Sequence, residues 1–302
     1  MKAESLHIGT CSWKYPSWEG LVYSERKPAN YLQEYSHHYN TVEVDQWFWS
    51  LFASDKLVLP KLEVVSEYAA SVPENFTFCV KVPNSITLTH HYKKNKSDPL
   101  VPNPHFLSIE LIQRFFDSLQ PLHHALGPLM FQFEYLNKQK MSGVAEFIDK
   151  FGPFAEKLPT CFTYCIESRN PNYLTTAYLN FLRSTNLHHI FLQGYYMPSI
   201  FDVYREHRER IDKLSVIRLH GPSREEIEKQ VGDDWSQIVA PKDQDIKDLV
   251  QMIEDLKIRN VKLYLLVNNH FEGSAPRTIA RIEEAMIQSV QRHVDLHNTL
   301  NN

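Results

Sequence analysis

The sequence predicts an α/β fold, and within that class a (β/α)8 TIM barrel built as a single domain. Two observations carry the prediction. Eight short β-forming runs alternate with helical patterns along the 302 residues, and such alternation points to a parallel sheet. Several of these runs are almost continuously apolar, as strands covered on both faces must be. An open, doubly wound sheet is the alternative. Neither G-x-G-x-x-G nor G-x-x-x-x-G-K-[ST] occurs in the chain, so no phosphate-cradling glycine loop supports it.

The expected strands run in order as His7–Thr10, Thr41–Asp45, Phe76–Lys81, Leu129–Phe133, Phe162–Glu167, His189–Gln193, Ser215–His220 and Lys262–Asn268. Between them, apolar residues at three-to-four spacing predict helices. The first spans Pro28–Tyr39, with proline in a first-turn position. Lys56–Ala70 and Pro104–Leu119 follow, then Gly143–Leu158, where Pro153 is expected to break the helix. Tyr173–Arg183, Asp243–Ile258 and Ala275–Val290 complete the set. The sixth connection, Pro198–Lys213, carries the run Arg205-Glu206-His207-Arg208-Glu209-Arg210, whose mixed charge predicts a solvated helix face. No repeat, low-complexity stretch or Gly/Ser linker divides the chain. The barrel core is expected over about 6–291 and a C-terminal tail over 292–302.

Composition removes several function classes. With 43% hydrophobic and 23% charged residues the chain is not disordered. Its 32 basic and 36 acidic residues give a formal charge of −4, against a globally cationic polyphosphate binder. Cys11, Cys79, Cys161 and Cys165 fit neither a C-x-x-C redox pair nor a zinc knuckle, and are expected to be reduced and mostly structural. No apolar run approaches ~18 residues and Met1–Ser5 has no leader-like apolar core, so the expectation is a cytoplasmic protein with no membrane span. Eight of the fifteen histidines occur as adjacent pairs, which point apart and share a metal poorly. His293 and His297 have helical ligand spacing but lack the adjoining glutamate of H-E-x-x-H. No metal and no organic cofactor is therefore expected.

Barrel chemistry sits at the C-terminal ends of the strands, and polar residues cluster there. Glu43 and Asp45 end the second expected strand, Lys81 the third, Glu167 and Arg169 the fifth, Arg218 and His220 the seventh, and Asn268 and Asn269 the eighth; Gln132 lies near the end of the fourth. An unpaired polar group in such a place costs roughly 1–3 kcal/mol, so these groups must meet each other, water or a ligand. Lys81, Arg169, Arg218 and His220 offer more donors than Glu43 and Glu167 can accept. That surplus suits phosphate or carboxylate. In the enzymatic reading the substrate is phosphorylated or nucleotide-like: Lys81, Arg169 and Arg218 hold its anionic group, and Glu43 or Glu167 is the general base. His220 is the acid/base partner, while Trp13 and Tyr15 stack the substrate.

Two other readings stand beside it. A long loop, Val82–Asn103, carries His90-His91-Tyr92-Lys93-Lys94-Asn95-Lys96. With the rim aromatics of Cys11–Gly20 and Trp47-Phe48-Trp49 it would grip a nucleic acid. Alternatively the polar residues form a closed structural network, Arg218 with Glu43 and Arg169 with Glu167. Glu43, His220 and Glu167 are also competent to ligate a rim metal. The aromatics, in the plainer case, plug the loops down onto the core.

Taken in order, these segments resemble the DUF72 or YecE-like family of TIM-barrel proteins. The resemblance runs from about Ile8 to about Glu284. It rests on Gly9-Thr10-Cys11-Ser12-Trp13-Lys14-Tyr15 with Trp18-Glu19-Gly20, Thr41-Val42-Glu43-Val44, Lys81, and Thr89-His90. Further along come Gly127-Pro128-Leu129 with Gln132, Glu167-Ser168-Arg169, Arg218-Leu219-His220-Gly221, and Asn268-Asn269 with Gly273 and Ala275. Three places depart from the family pattern: Asp45-Gln46-Trp47-Phe48-Trp49 stands for an Asn-x-[ST]-Phe-Tyr-like run, Phe133-Glu134 for Phe-Pro, and Ala275-Pro276-Arg277-Thr278 for a small-residue stretch. The resemblance implies the barrel and implies no reaction.

Overall fold

The computed structural model describes residues 5–51, 56–221 and 223–300, the side chains of 293–300 excepted. Eight strands, β1 (Leu6–Thr10), β2 (Thr41–Val44), β3 (Thr77–Lys81), β4 (Leu126–Phe133), β5 (Tyr164–Ser168), β6 (His188–Gly194), β7 (Leu214–Gly221) and β8 (Lys262–Val267), form one closed barrel in sequence order. Every pairing is parallel, including β1 with β8. Gly9 makes the first pairing possible, because a Cβ there would lie 1.9 Å from the Thr41 carbonyl oxygen.

The helices are α1 (Tyr31–Tyr35), α2 (Leu62–Ala70), α3 (Asn84–Thr87), α4 (Ile109–Ser118), α5 (Val144–Ala155), α6 (Thr176–Ser184), α7 (Ile200–His207), α8 (Arg224–Val231), α9 (Asp243–Ile258) and α10 (Ala275–Leu300). Most start later than the apolar spacing predicts, because caps rather than periodicity set their first turns. Asn30 accepts from the amides of Leu32 and Gln33, which leaves Pro28 outside α1. Ser108 caps α4 and Thr175 caps α6 in the same way, leaving Pro104 and Tyr173 outside. Pro153 does not break α5. It sits two residues from the helix end, where it removes a single backbone bond, and Phe147, Phe151 and Phe154 hold the helix on the barrel. α3 interrupts the long loop after β3, and α8, capped by Ser223, lies in a stretch without a clear apolar period. α10 continues through the expected tail, although the side chains of His293 and His297 fall outside the described residues. Of the charged run after β6, only His207 is buried.

Inside the barrel, Cys79, Met130, Cys165, Val216, Tyr264 and Leu266 form a dry layer. A far larger apolar cluster fills the space between strands and helices. Cys79 and Cys165 belong to the dry layer as reduced thiols, whereas Cys161 is exposed. Among the described residues no helix is long and apolar enough to cross a membrane.

Candidate functional site

Side chains two apart on a strand share a face. From the dry layer, Cys79 leads to Lys81, Met130 to Gln132, Cys165 to Glu167 and Val216 to Arg218 and His220, all toward the C-terminal mouth. Arg218 is the centre of the resulting charged layer and only 1% exposed. Its Nε and Nη2 donate to the two oxygens of Glu43 at 2.9 and 2.8 Å. Its Nη1 donates to Glu167, and to Gln132 Oε1 at 3.4 Å. Lys81 Nζ lies 3.1 Å from Glu43 Oε1, and Arg169 Nε donates to Glu167 Oε1 at 3.1 Å. Both pairs of the closed-network reading therefore form, Arg218 with Glu43 and Arg169 with Glu167.

These contacts fix the protonation states. Burial alone would raise the Glu167 carboxyl, but Arg218, Arg169 and Lys81 outweigh it and bring it down to about 2. Glu43 is likewise pushed up by burial, yet Arg218 and Lys81 hold it below the usual carboxylate range. Carboxylates held by arginine and lysine in this way are weakened as proton acceptors, which counts against the general-base role expected of Glu43 and Glu167; in the geometry they serve as counter-ions. Arg218, expected to grip a substrate anion, is occupied by the protein's own acids. Three basic side chains, Lys81, Arg169 and Arg218, thus share two ion-paired carboxylates, and the third acid nearby, Asp45, pairs with none of them among the described residues. Among the described residues no hydrogen bond engages the Nη nitrogens of Arg169, whose guanidinium lies 4.9 Å from the Tyr195 ring centroid.

His220 faces the same layer and is buried. Burial, then the charges of Arg218, Lys81 and Arg169, drive its pKa well down, so the imidazole is neutral. Tyr195 Oη lies 3.2 Å from its Nδ1, and Cys11 Sγ lies 3.7 Å from its Nε2. Burial and Glu43 push the Cys11 thiol up, so it too is neutral. The placement of Tyr195 depends on two glycines. β6 shifts register where Gly194 meets Gly221, and a Cβ on Gly194, at φ +138, would lie 2.4 Å from the Gly221 carbonyl oxygen. The chain turns there with Tyr195 itself at φ 55.

Other expected site residues lie elsewhere. Trp13, expected to stack a substrate, is 1% exposed and packs edge-on against Tyr68; its large ring is core, as the plainer reading held. Tyr15 is half-buried between Trp18 and Trp235, 4.6 and 6.5 Å away. Asn268 and Asn269, expected to bind substrate, act as local caps. Asn268 accepts from the His270 amide, and Asn269 Oδ1 accepts from the Ala275 amide at the start of α10. His90 is bound to its neighbour Thr89 at 2.9 Å on the long loop. The loop's Lys93, Lys94 and Lys96 are exposed. Among the described residues no group of three or more side chains is arranged to hold a metal ion, and Glu43 and Glu167 are spoken for by Arg218.

Two residues at the mouth escaped the sequence reading as site residues. Tyr195 lies just beyond β6, where only the Gly194 punctuation marks it. Asp45 was visible as a strand-end acid. It is half-buried and forms no ion pair among the described residues, and burial followed by repulsion from Glu43 raises its pKa.

A family model described as "Protein of unknown function DUF72" matches residues 7–300. The UPF0759 protein YecE of Escherichia coli strain K12 is 25% identical over 169 residues, 56% of this chain and 50% of that protein. The chain thus spans about half the length of the curated relatives it matches. Among solved structures, a DUF72 family protein (EF0366) of Enterococcus faecalis V583 aligns with a TM-score of 0.64 at 20% identity, covering 93% of this chain and 95% of that one. A DUF72 family protein (TM1631) of Thermotoga maritima MSB8 aligns at 0.62 and 18% identity, covering 95% and 99%. At such identities the likeness concerns the fold.

Proposed function

The chain belongs to the DUF72 family, and from that premise we propose that its barrel mouth binds a small phosphate-bearing anion and moves a proton on it. One observation carries the reading: in the charged layer under the mouth Lys81, Arg169 and Arg218 share only two ion-paired carboxylates, while Asp45, the third acid nearby, pairs with none of them among the described residues. Uncompensated charge in a buried place is costly, and an incoming anion supplies the balance. In this reading Arg218 does not touch the ligand. Held by Glu43 and Glu167, it fixes the layer and sets the positive potential. Lys81 and Arg169 make the contacts, with Gln132 beside them. His220, neutral in the free protein and next to Tyr195, faces the same layer; a bound anion offsets the Arg218, Lys81 and Arg169 charges that depress its pKa, and so makes it a better proton acceptor.

Calorimetric titration with inorganic phosphate tests the binding half. A hydrogen bond to a charged group contributes ~1.5–3 kcal/mol, so Arg169→Ala and Lys81→Ala should each weaken phosphate binding roughly 10- to 150-fold. Wild-type protein that fails to bind phosphate at low salt, or variants that bind it as wild type does, would reject the reading.

A further inference from the structure

Beside the mouth lies a cleft of about 460 Å³ whose walls include Glu134, Tyr135, Arg169, Tyr195, Tyr196 and Met197. These residues come from the segments that follow β4, β5 and β6. The volume falls within the range of small-molecule sites, ~300–1,000 Å³. Its lining is unusual for a surface. Tyr135 is 60% exposed and Tyr196 is 97% exposed, so two large rings of the lining stand in water. Aromatic rings gain most of their stabilisation from being covered. Flat rings flanking a cleft are well suited to cover a flat ligand.

The cleft is continuous with the charged layer through two residues. Arg169 lines the cleft while its Nε holds Glu167. Tyr195 lines the cleft while its hydroxyl bonds His220. A ligand whose anionic group meets Arg169 therefore has its remaining atoms beside the tyrosines. Glu134, already bonded to Lys140, adds a carboxylate that can accept from an N–H or O–H of the ligand.

We propose that this cleft is the specificity subsite of the mouth, and that it selects a ligand in which a planar aromatic ring system is joined to the phosphate. The proposal rests on the anion reading of the mouth and narrows it to one substrate class, aromatic phosphates of mononucleotide size. Arg169 and Tyr195 are shared between the two parts, whereas Tyr135 and Tyr196 belong to the cleft alone.

Calorimetry with adenosine 5′-monophosphate and ribose 5-phosphate separates the parts, since the two probes carry the same phosphate and differ in the ring system. Stacking a base on an aromatic side chain is worth roughly 5- to 150-fold in affinity. Wild-type protein should bind the monophosphate tighter than ribose 5-phosphate by a factor in that range. Tyr196→Ala and Tyr135→Ala should each reduce that preference, leave ribose 5-phosphate affinity unchanged, and leave the circular dichroism spectrum and melting temperature of the protein as they were. Equal affinity for the two probes in wild-type protein overturns the cleft proposal and leaves the anion site standing. So does an unchanged preference in both tyrosine variants. Failure of both probes to bind overturns the cleft and the anion reading together.

Discussion

Arg218 and Arg208 grip carboxylates in the same way and to different ends. Each uses Nε and Nη2 on the two oxygens of one acid, Arg218 on Glu43 inside the barrel and Arg208 on Asp255 between α7 and α9. Arg208 stands in solvent, where water screens the pair and the net gain is small. Arg218 is sealed beneath the mouth and holds a second acid, Glu167, as well. Its attraction is stronger there, but so is the cost of stripping water from three charges. A buried network of this kind is often no more stabilising than apolar residues of equal volume. Stability alone therefore does not account for it, whereas the anion-binding role proposed for the mouth would.

The largest expected effect tests that asymmetry directly. Arg218→Met leaves Glu43 and Glu167 buried without their main partner and should lower unfolding stability in urea by about 3–5 kcal/mol. Arg208→Ala should leave the urea midpoint within experimental error. The decisive comparison adds Glu43→Leu, Glu167→Leu and Lys81→Met to Arg218→Met, since Lys81 is buried against Glu43. With all four buried charges gone, stability should return to within about 1 kcal/mol of wild type or exceed it, while phosphate binding stays lost. A quadruple variant as unstable as Arg218→Met would make the network a structural requirement and remove its functional interpretation.

The contrast also explains what was legible beforehand. Strands announced themselves because parallel strands buried on both faces need apolar runs, and polar residues interrupting those runs marked the charged layer. Lys81, Glu167 and Arg218 stood out for that reason. Which acid takes which base did not, since Arg218 and Glu43 lie 175 positions apart in sequence and only barrel closure brings them together. Trp13 carried two readings because an aromatic near a rim looks the same in sequence whether it faces ligand or core; the structure shows the core one. The capping roles of Asn268 and Asn269 could not be read beforehand, because a strand-end asparagine serves equally as a ligand or a cap. Tyr195 left almost no signal, because its position follows from the register shift at Gly194.

Acid stability gives the next effect. Glu167 has a folded pKa of about 2, below the ~4.3 of an unfolded glutamate. A depressed carboxylate contributes stability that is complete above the unfolded value and is lost as pH falls toward the folded one. Glu167 should therefore account for about 3 kcal/mol lost between about pH 4 and pH 2. His220 acts at milder pH. Its folded pKa is also depressed, so below ~6.5 the unfolded state binds a proton that the folded state refuses, and stability falls as pH drops. One such histidine gives a slope of at most ~1.4 kcal/mol per pH unit. His220→Asn should flatten the urea stability profile between about pH 6.5 and pH 5. An unchanged slope would mean that His220 is not the buried neutral group described.

The smallest effect contrasts the mouth with the other cationic feature, the exposed loop after β3. Lys93, Lys94 and Lys96 are solvated, and at physiological salt exposed charges are screened beyond ~8 Å. Replacing all three with serine should change phosphate affinity less than about twofold at that ionic strength, against the much larger loss from Arg169→Ala. The same variant weighs the loop as a grip for single-stranded nucleic acid. Each lysine that truly neutralises a phosphate contributes ~0.7 to the slope of log affinity against log salt, so a loop that binds nucleic acid would lose ~2 from that slope when all three are removed. A loop that merely stands in water leaves it unchanged. If the triple replacement lowers phosphate affinity as much as Arg169→Ala does, the anion is held on the loop, and the cations under the mouth are balanced by something other than a ligand.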